Sequence, residues 1–137
     1  MTTEDRIADL TCGMGNFINF CPSEEKFYGC EMDEDACKIA RFLYPKAHLE
    51  HQDIREYCPG VFFDCVVGNP PFNLSWEYGD KKVSSQLGYC LTAAEMLVPL
   101  GILAGIVLES FLADSFTDQD AVWNMEERIS FLCKTDR

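Results

Sequence analysis

Four groups of residues in this chain have the types and spacing to do chemistry together. The first is Asp9-Leu10-Thr11-Cys12-Gly13-Met14-Gly15, where an acid ends an apolar stretch and two glycines follow. Glycine carries no Cβ, so such a turn lets backbone approach a ligand closely. The acid could meet a cationic amino group or orient the turn. The second is Glu31, about twenty residues after Asp9, a spacing that suits the hydroxyls of a ribose because a carboxylate accepts from two donors at once. The third is Asp53-Ile54, an acceptor for an amino group beside an apolar side chain. The fourth is Asn69-Pro70-Pro71-Phe72, directly after the apolar run Cys65-Val66-Val67-Gly68. Each has a plainer explanation. A two-glycine turn is often only a tight turn, an Asp after a strand often caps a helix, and Asn-Pro often makes a rigid turn. Their recurrence at successive strand ends favours chemistry.

These residues need a scaffold that brings strand ends together. Apolar stretches alternate with amphipathic ones, which predicts βαβ units and an α/β fold with a mostly parallel sheet and helices on both faces. Strands are predicted over residues 6–11, 26–32, 48–54, 62–67 and 102–108. A short helix is expected to end near Phe20. Asp33 can cap a second helix whose apolar face holds Ala36, Ile39, Ala40 and Leu43, with Pro45 beyond its end. Leu87, Cys90, Leu91, Ala94, Leu97 and Val98 mark a third helix, closed by Pro99 and Gly101, after a polar loop that runs to about Lys82. Val122, Met125, Ile129, Leu132 and Cys133 mark a last helix, with Ser115 or Thr117 as its cap. There are no repeats and no linker, so residues 1–137 read as one domain. In such sheets ligands bind beyond the carboxyl ends of the strands, where all four groups fall.

Composition narrows the function. Eleven Lys and Arg against 23 Asp and Glu give a net charge of −12, so this chain alone should bind a phosphate backbone weakly. The eight cysteines form no C-x-x-C pair, which argues against zinc and for buried, reduced thiols in a cytoplasmic protein. No apolar run is long enough to span a membrane, and the acidic N-terminus is unlike a secretory signal. Ile18 stands where a dinucleotide fingerprint needs its third glycine, and no Lys-Ser/Thr follows the turn as a phosphate-binding loop requires. The Lys81-Lys82 pair reads as a solvated loop or a phosphate contact, and Trp76 as a loop anchor within reach of a substrate.

Asn69-Pro70-Pro71-Phe72 after an apolar strand resembles the catalytic signature of the adenine-N(6) DNA methyltransferases that use S-adenosylmethionine. The glycine turn precedes it, as in the members of that family with the cofactor motif first, and residues 99–107 resemble the strand after their catalytic loop. The resemblance implies a Rossmann-like S-adenosylmethionine-dependent methyltransferase fold. It implies that Asp9, Thr11, Gly13 and Gly15 hold the methionine part of the cofactor, Glu31 its ribose, and Asp53 its adenine amine, with Met32 and Ile54 flanking the ring. It implies that Asn69, Pro70, Pro71 and Phe72 are catalytic. An adenine amine is a poor nucleophile because its lone pair is delocalised. Acceptors aimed at its hydrogens, here the Asn69 side chain and the Pro70 carbonyl, favour the localised lone pair of the transition state. The prolines preorganise those acceptors, and Phe72 could stack on a flipped base.

By that resemblance the substrate is DNA, in the setting of a restriction–modification system. By the same resemblance, the segment that precedes the glycine motif in related enzymes, and their β-hairpin after the last helix, are expected to be absent. This predicts a truncated core whose last strand is an open apolar edge, prone to pair with a second copy or a partner chain. Similar Asn-Pro-Pro-Tyr/Phe signatures methylate RNA base amines and a protein glutamine amide. A non-catalytic remnant of the fold is the reading from another class.

Overall fold

The computed structural model describes residues 1–72 and 74–106. The predicted last helix and the end of the predicted fifth strand lie outside these residues. A five-stranded parallel sheet forms the centre, in the order β3-β2-β1-β4-β7, with β1 at Ile7–Asp9, β2 at Phe27–Glu31, β3 at His48–His51, β4 at Phe63–Gly68 and β7 at Leu97–Gly105. The order reverses between β1 and β4, which makes a crevice at their carboxyl ends. Two helices cross between strands: α1 at Glu34–Leu43 joins β2 to β3, and α2 at Ser85–Met96 leads from β4 to β7.

Strand alternation splits the core between the two faces of the sheet. Ile7 of β1 packs with Phe27, Ala40 and Leu49 on the α1 side. Its neighbour Ala8 packs with Cys30, Val66, Tyr89 and Ala93 on the α2 side. Cys12, Cys30, Cys37, Cys65 and Cys90 are buried as free thiols, while Cys58 is exposed. The buried cysteines fill space in this packing, as small apolar side chains do.

Asp33 caps α1 by accepting from the Ala36 N–H at 2.8 Å, as the sequence predicts. The predicted apolar face of that helix is displaced. Ile39 and Leu43 are 44% and 54% exposed, and Cys37 and Ala40 are the buried pair. The buried stripe of α1 is narrow, since only Cys37 and Ala40, three apart on one face, are fully covered. The short helix near residue 20 is a single 3-10 turn at Ile18–Phe20.

Two further corrections concern the segment after β4. The predicted polar loop holds an antiparallel hairpin, β5 at Ser75–Tyr78 and β6 at Lys81–Ser84, joined by Gly79-Asp80 with Gly79 at φ 62°. A two-residue turn with glycine at positive φ is what tight hairpins require. Val98 belongs to β7 rather than to the helix. Leu97 already pairs with Phe63, and the register then jumps to Cys65 opposite Ile102. Residues 98–101 form the irregularity between, with Leu100 at φ 64° and 97% exposed. Among the described residues β7 is an outer strand of the sheet, with Ile102 and Ile106 also exposed.

Candidate active site

The carboxyl ends of β1, β2, β3 and β4 surround a cavity of about 400 Å³. Thr11, Glu31, Met32, Asp53, Ile54, Asn69 and Pro71 contribute to its walls, together with Trp76 from the hairpin. Seven residues that the sequence singled out, from four distant segments, thus share one cavity. Asp9, Gly13, Gly15, Pro70 and Phe72 do not line this cavity. They stand behind it or beside it: Asp9 and Pro70 are buried, and Phe72 is half-buried.

The glycine turn is shaped from within. Gly13 and Gly15 have φ of 55° and 90°, a region that side chains disfavour. Asp9, 2% exposed, accepts from the Thr11 N–H at 3.0 Å and so orients the turn. Burial pushes its carboxyl pKa up to about 7, and the nearby Glu31 charge adds to the effect. The Glu31 carboxylate reaches back to this turn. Its Oε1 accepts from the Gly13 N–H at 3.2 Å, while Oε2 accepts from the N–H groups of Met32 and Asp33 at 2.7 and 3.3 Å. Asp53 is engaged differently. Arg55 donates to both its oxygens, at 3.0 and 2.6 Å, and this holds the Asp53 carboxyl below its ordinary range.

The end of β4 is built on another plan. Three carbonyls of the segment are taken by hydroxyls: Tyr89 donates to Val67 at 3.1 Å, Thr11 to Asn69 at 3.3 Å, and Ser85 to Pro71 at 2.6 Å. The Gly68 carbonyl accepts from the N–H of Ile106, the residue after β7. Among the described residues, neither the Asn69 side chain nor the Pro70 carbonyl has a hydrogen-bond partner. The acceptors that the sequence singled out are thus the free ones in their segment.

No protein-family model matches this chain, and no curated protein does. Solved structures do. A Listeria monocytogenes protein described as a class I S-adenosylmethionine-dependent methyltransferase aligns with a TM-score of 0.67 at 18% identity, over 85% of this chain and 44% of that one. An amino pentose methyltransferase from Micromonospora echinaspora, solved with S-adenosylmethionine bound, gives 0.55 at 22% identity, over 77% and 44%. A Vibrio vulnificus protein described as the modification subunit of a type I restriction enzyme gives 0.53 at 15% identity, over 70% and 27%. The chain has the Rossmann-like fold of S-adenosylmethionine-dependent methyltransferases. It spans less than half the length of these three neighbours.

Sequence reasoning missed the structural partners of the cavity, the hairpin and the hydroxyls of α2. The alternation of Trp76 and Tyr78 before Gly79-Asp80, with Val83 beyond, was a readable hairpin signal. Trp76 packs so tightly on α2 that a Cβ at Gly88 would sit 1.5 Å from its ring nitrogen. The Tyr78 hydroxyl, donating to Glu95, ties the same hairpin to the same helix. Tyr89 and Ser85 carried no sequence signal for their role, because a hydroxyl on a buried helix face has no pattern of its own.

Proposed function

We propose that this chain is the cofactor-binding and catalytic core of an S-adenosylmethionine-dependent methyltransferase whose acceptor is the exocyclic amine of adenine in DNA. One observation carries the reading. At the end of the strand beside β1, a rigid Asn-Pro-Pro-Phe segment has its flanking carbonyls engaged and leaves the Asn69 side chain and the Pro70 carbonyl without partners among the described residues. The likeness to a restriction-enzyme modification subunit supports a DNA acceptor.

The residues present fit the cofactor. A carboxylate has about four acceptor sites, and backbone N–H groups occupy three of those on Glu31. The two long contacts, from Gly13 and Asp33, are the ones that a pair of ribose hydroxyls would replace. Ile54 and the exposed Met32 supply apolar surface for a ring, and Asp53 stands next to them. The cofactor supplies an electrophilic methyl group on a sulfonium.

The chain's own residues do the rest. Asn69 Oδ1, on the cavity wall, accepts from a hydrogen of the acceptor amine and favours its pyramidal, nucleophilic form, while the Pro70 carbonyl, buried behind it, would have to turn toward the cavity to take the second hydrogen. Pro70 and Pro71 fix the backbone angles, so little reorganisation is needed at the moment of transfer. Once methylated, the amine is cationic and sheds its proton without a dedicated base. A second reading, a protein amide as acceptor, draws support from the net charge of −12, which opposes binding to phosphates.

Methyl transfer from radiolabelled S-adenosylmethionine to a panel of adenine-containing DNA, RNA and glutamine-containing protein tests the proposal. Label in DNA, retained after nuclease digestion as N6-methyladenine, is expected. Label confined to RNA or to protein would replace the acceptor. A chain that binds cofactor and labels nothing would contradict the catalytic reading.

A further inference from the structure

Two hydroxyls of α2 are aimed across at β4 and the loop that follows. Ser85, the first residue of the helix and 1% exposed, donates from Oγ to the Pro71 carbonyl at 2.6 Å. Tyr89, one turn later on the same face, donates to the Val67 carbonyl at 3.1 Å. The helical spacing of the donors thus matches the spacing of the two carbonyls, which bracket Gly68-Asn69-Pro70. Gly68 is required by this arrangement, because a Cβ there would lie 2.0 Å from the Tyr89 hydroxyl. The Ser85 N–H also donates to the Leu74 carbonyl at 2.8 Å. The β5–β6 hairpin therefore leaves and returns at one point, and its closure delivers the start of α2 to the loop. A helical serine more often bonds within its own helix; Ser85 reaches outside it.

We propose that Ser85 and Tyr89 are positioning residues, a two-point clamp that holds residues 67–71 in one conformation and leaves the Asn69 side chain and the Pro70 carbonyl as the segment's free acceptors. The kinetic consequence rests on the methyl-transfer reading; the clamp itself does not. The sequence signature is a hydroxyl residue and a tyrosine four apart, behind a hairpin that follows Asn-Pro-Pro-Phe.

The test uses Ser85→Ala and Tyr89→Phe in the full chain, each of which removes one hydroxyl. Amide exchange read by mass spectrometry should speed up in residues 67–74 in both variants and stay unchanged in β2 and β3. With an adenine-containing duplex as acceptor, kcat should fall roughly tenfold to a hundredfold, while the calorimetric Kd for S-adenosylmethionine moves by less than about twofold. Ser85→Thr, which keeps the hydroxyl, should recover kcat. Unchanged exchange in residues 67–74 would overturn the clamp whatever the activity. So would exchange that rises equally throughout the sheet, since the hydroxyls would then support the fold in general. If the unaltered chain transfers no methyl, the function reading fails, and the exchange pattern alone decides the clamp.

Discussion

At the ends of β2 and β3 the polar groups of the cavity already have partners. Glu31 accepts from three backbone N–H groups and Asp53 is held by Arg55. At the end of β4 the flanking carbonyls are tied down, while the Asn69 side chain and the Pro70 carbonyl are free among the described residues. The first region is preorganised through its carboxylates, so that a ligand exchanges one good contact for another. The second is preorganised around unpaired acceptors, which favours whatever brings two hydrogens to them. A site that binds one molecule and acts on another needs both arrangements.

Removing a free acceptor should separate the two regions most sharply. Asn69→Ala is expected to lower methyl transfer by roughly a hundredfold to a thousandfold, the range for loss of one preorganised polar contact to a transition state. Cofactor affinity should hold. A parallel loss of cofactor binding, read by calorimetry, would merge the two regions into one.

Asp9 offers a test through pH. Its folded-state pKa of about 7 lies above the ordinary value of 3.8, so the folded chain binds the extra proton between those values. Stability therefore falls as pH rises through that window and levels off above it, by an amount on the order of 4 kcal/mol. Asp9→Asn keeps the acceptor for the Thr11 N–H and removes the ionisation. It should flatten the decline in melting midpoint from pH 4 to 7 and raise the midpoint at pH 8. An unchanged pH profile would mean that Asp9 titrates normally.

The smallest effect is expected at Arg55. Its side chain is exposed, and ion pairs of that kind contribute little to stability. Arg55→Ala should leave the melting midpoint unchanged and free Asp53 for an incoming amino group. Tighter cofactor binding, by a fewfold, would sharpen the contrast between a borrowed and a free acceptor. Weaker binding would make Arg55 a contributor rather than a competitor.

Much of this architecture was legible in the sequence because strand-end chemistry and apolar runs coincide there. Val66 and Phe63 announce a strand covered on both faces, and Asn69-Pro70 announces its end. Asp33 announces a capped helix. The displaced face of α1 was not legible, since Cys37 counts for less than Ile39 in a periodicity and yet is the one that is buried. The hairpin was hidden by its charges: Glu77 opposite Lys82 reads as polar loop until the pairing is known. Arg55 was hidden for a different reason. Its pairing with Asp53 depends on a side-chain rotamer, which no spacing rule specifies.

The most direct test is a calorimetric titration of S-adenosylmethionine into the chain, beside Glu31→Ala. Saturable one-to-one binding is expected, weakened roughly tenfold or more by the substitution, as loss of hydrogen bonds to a charged group would do. A folded chain that does not bind the cofactor, or one that binds equally well without the Glu31 carboxylate, would contradict the account.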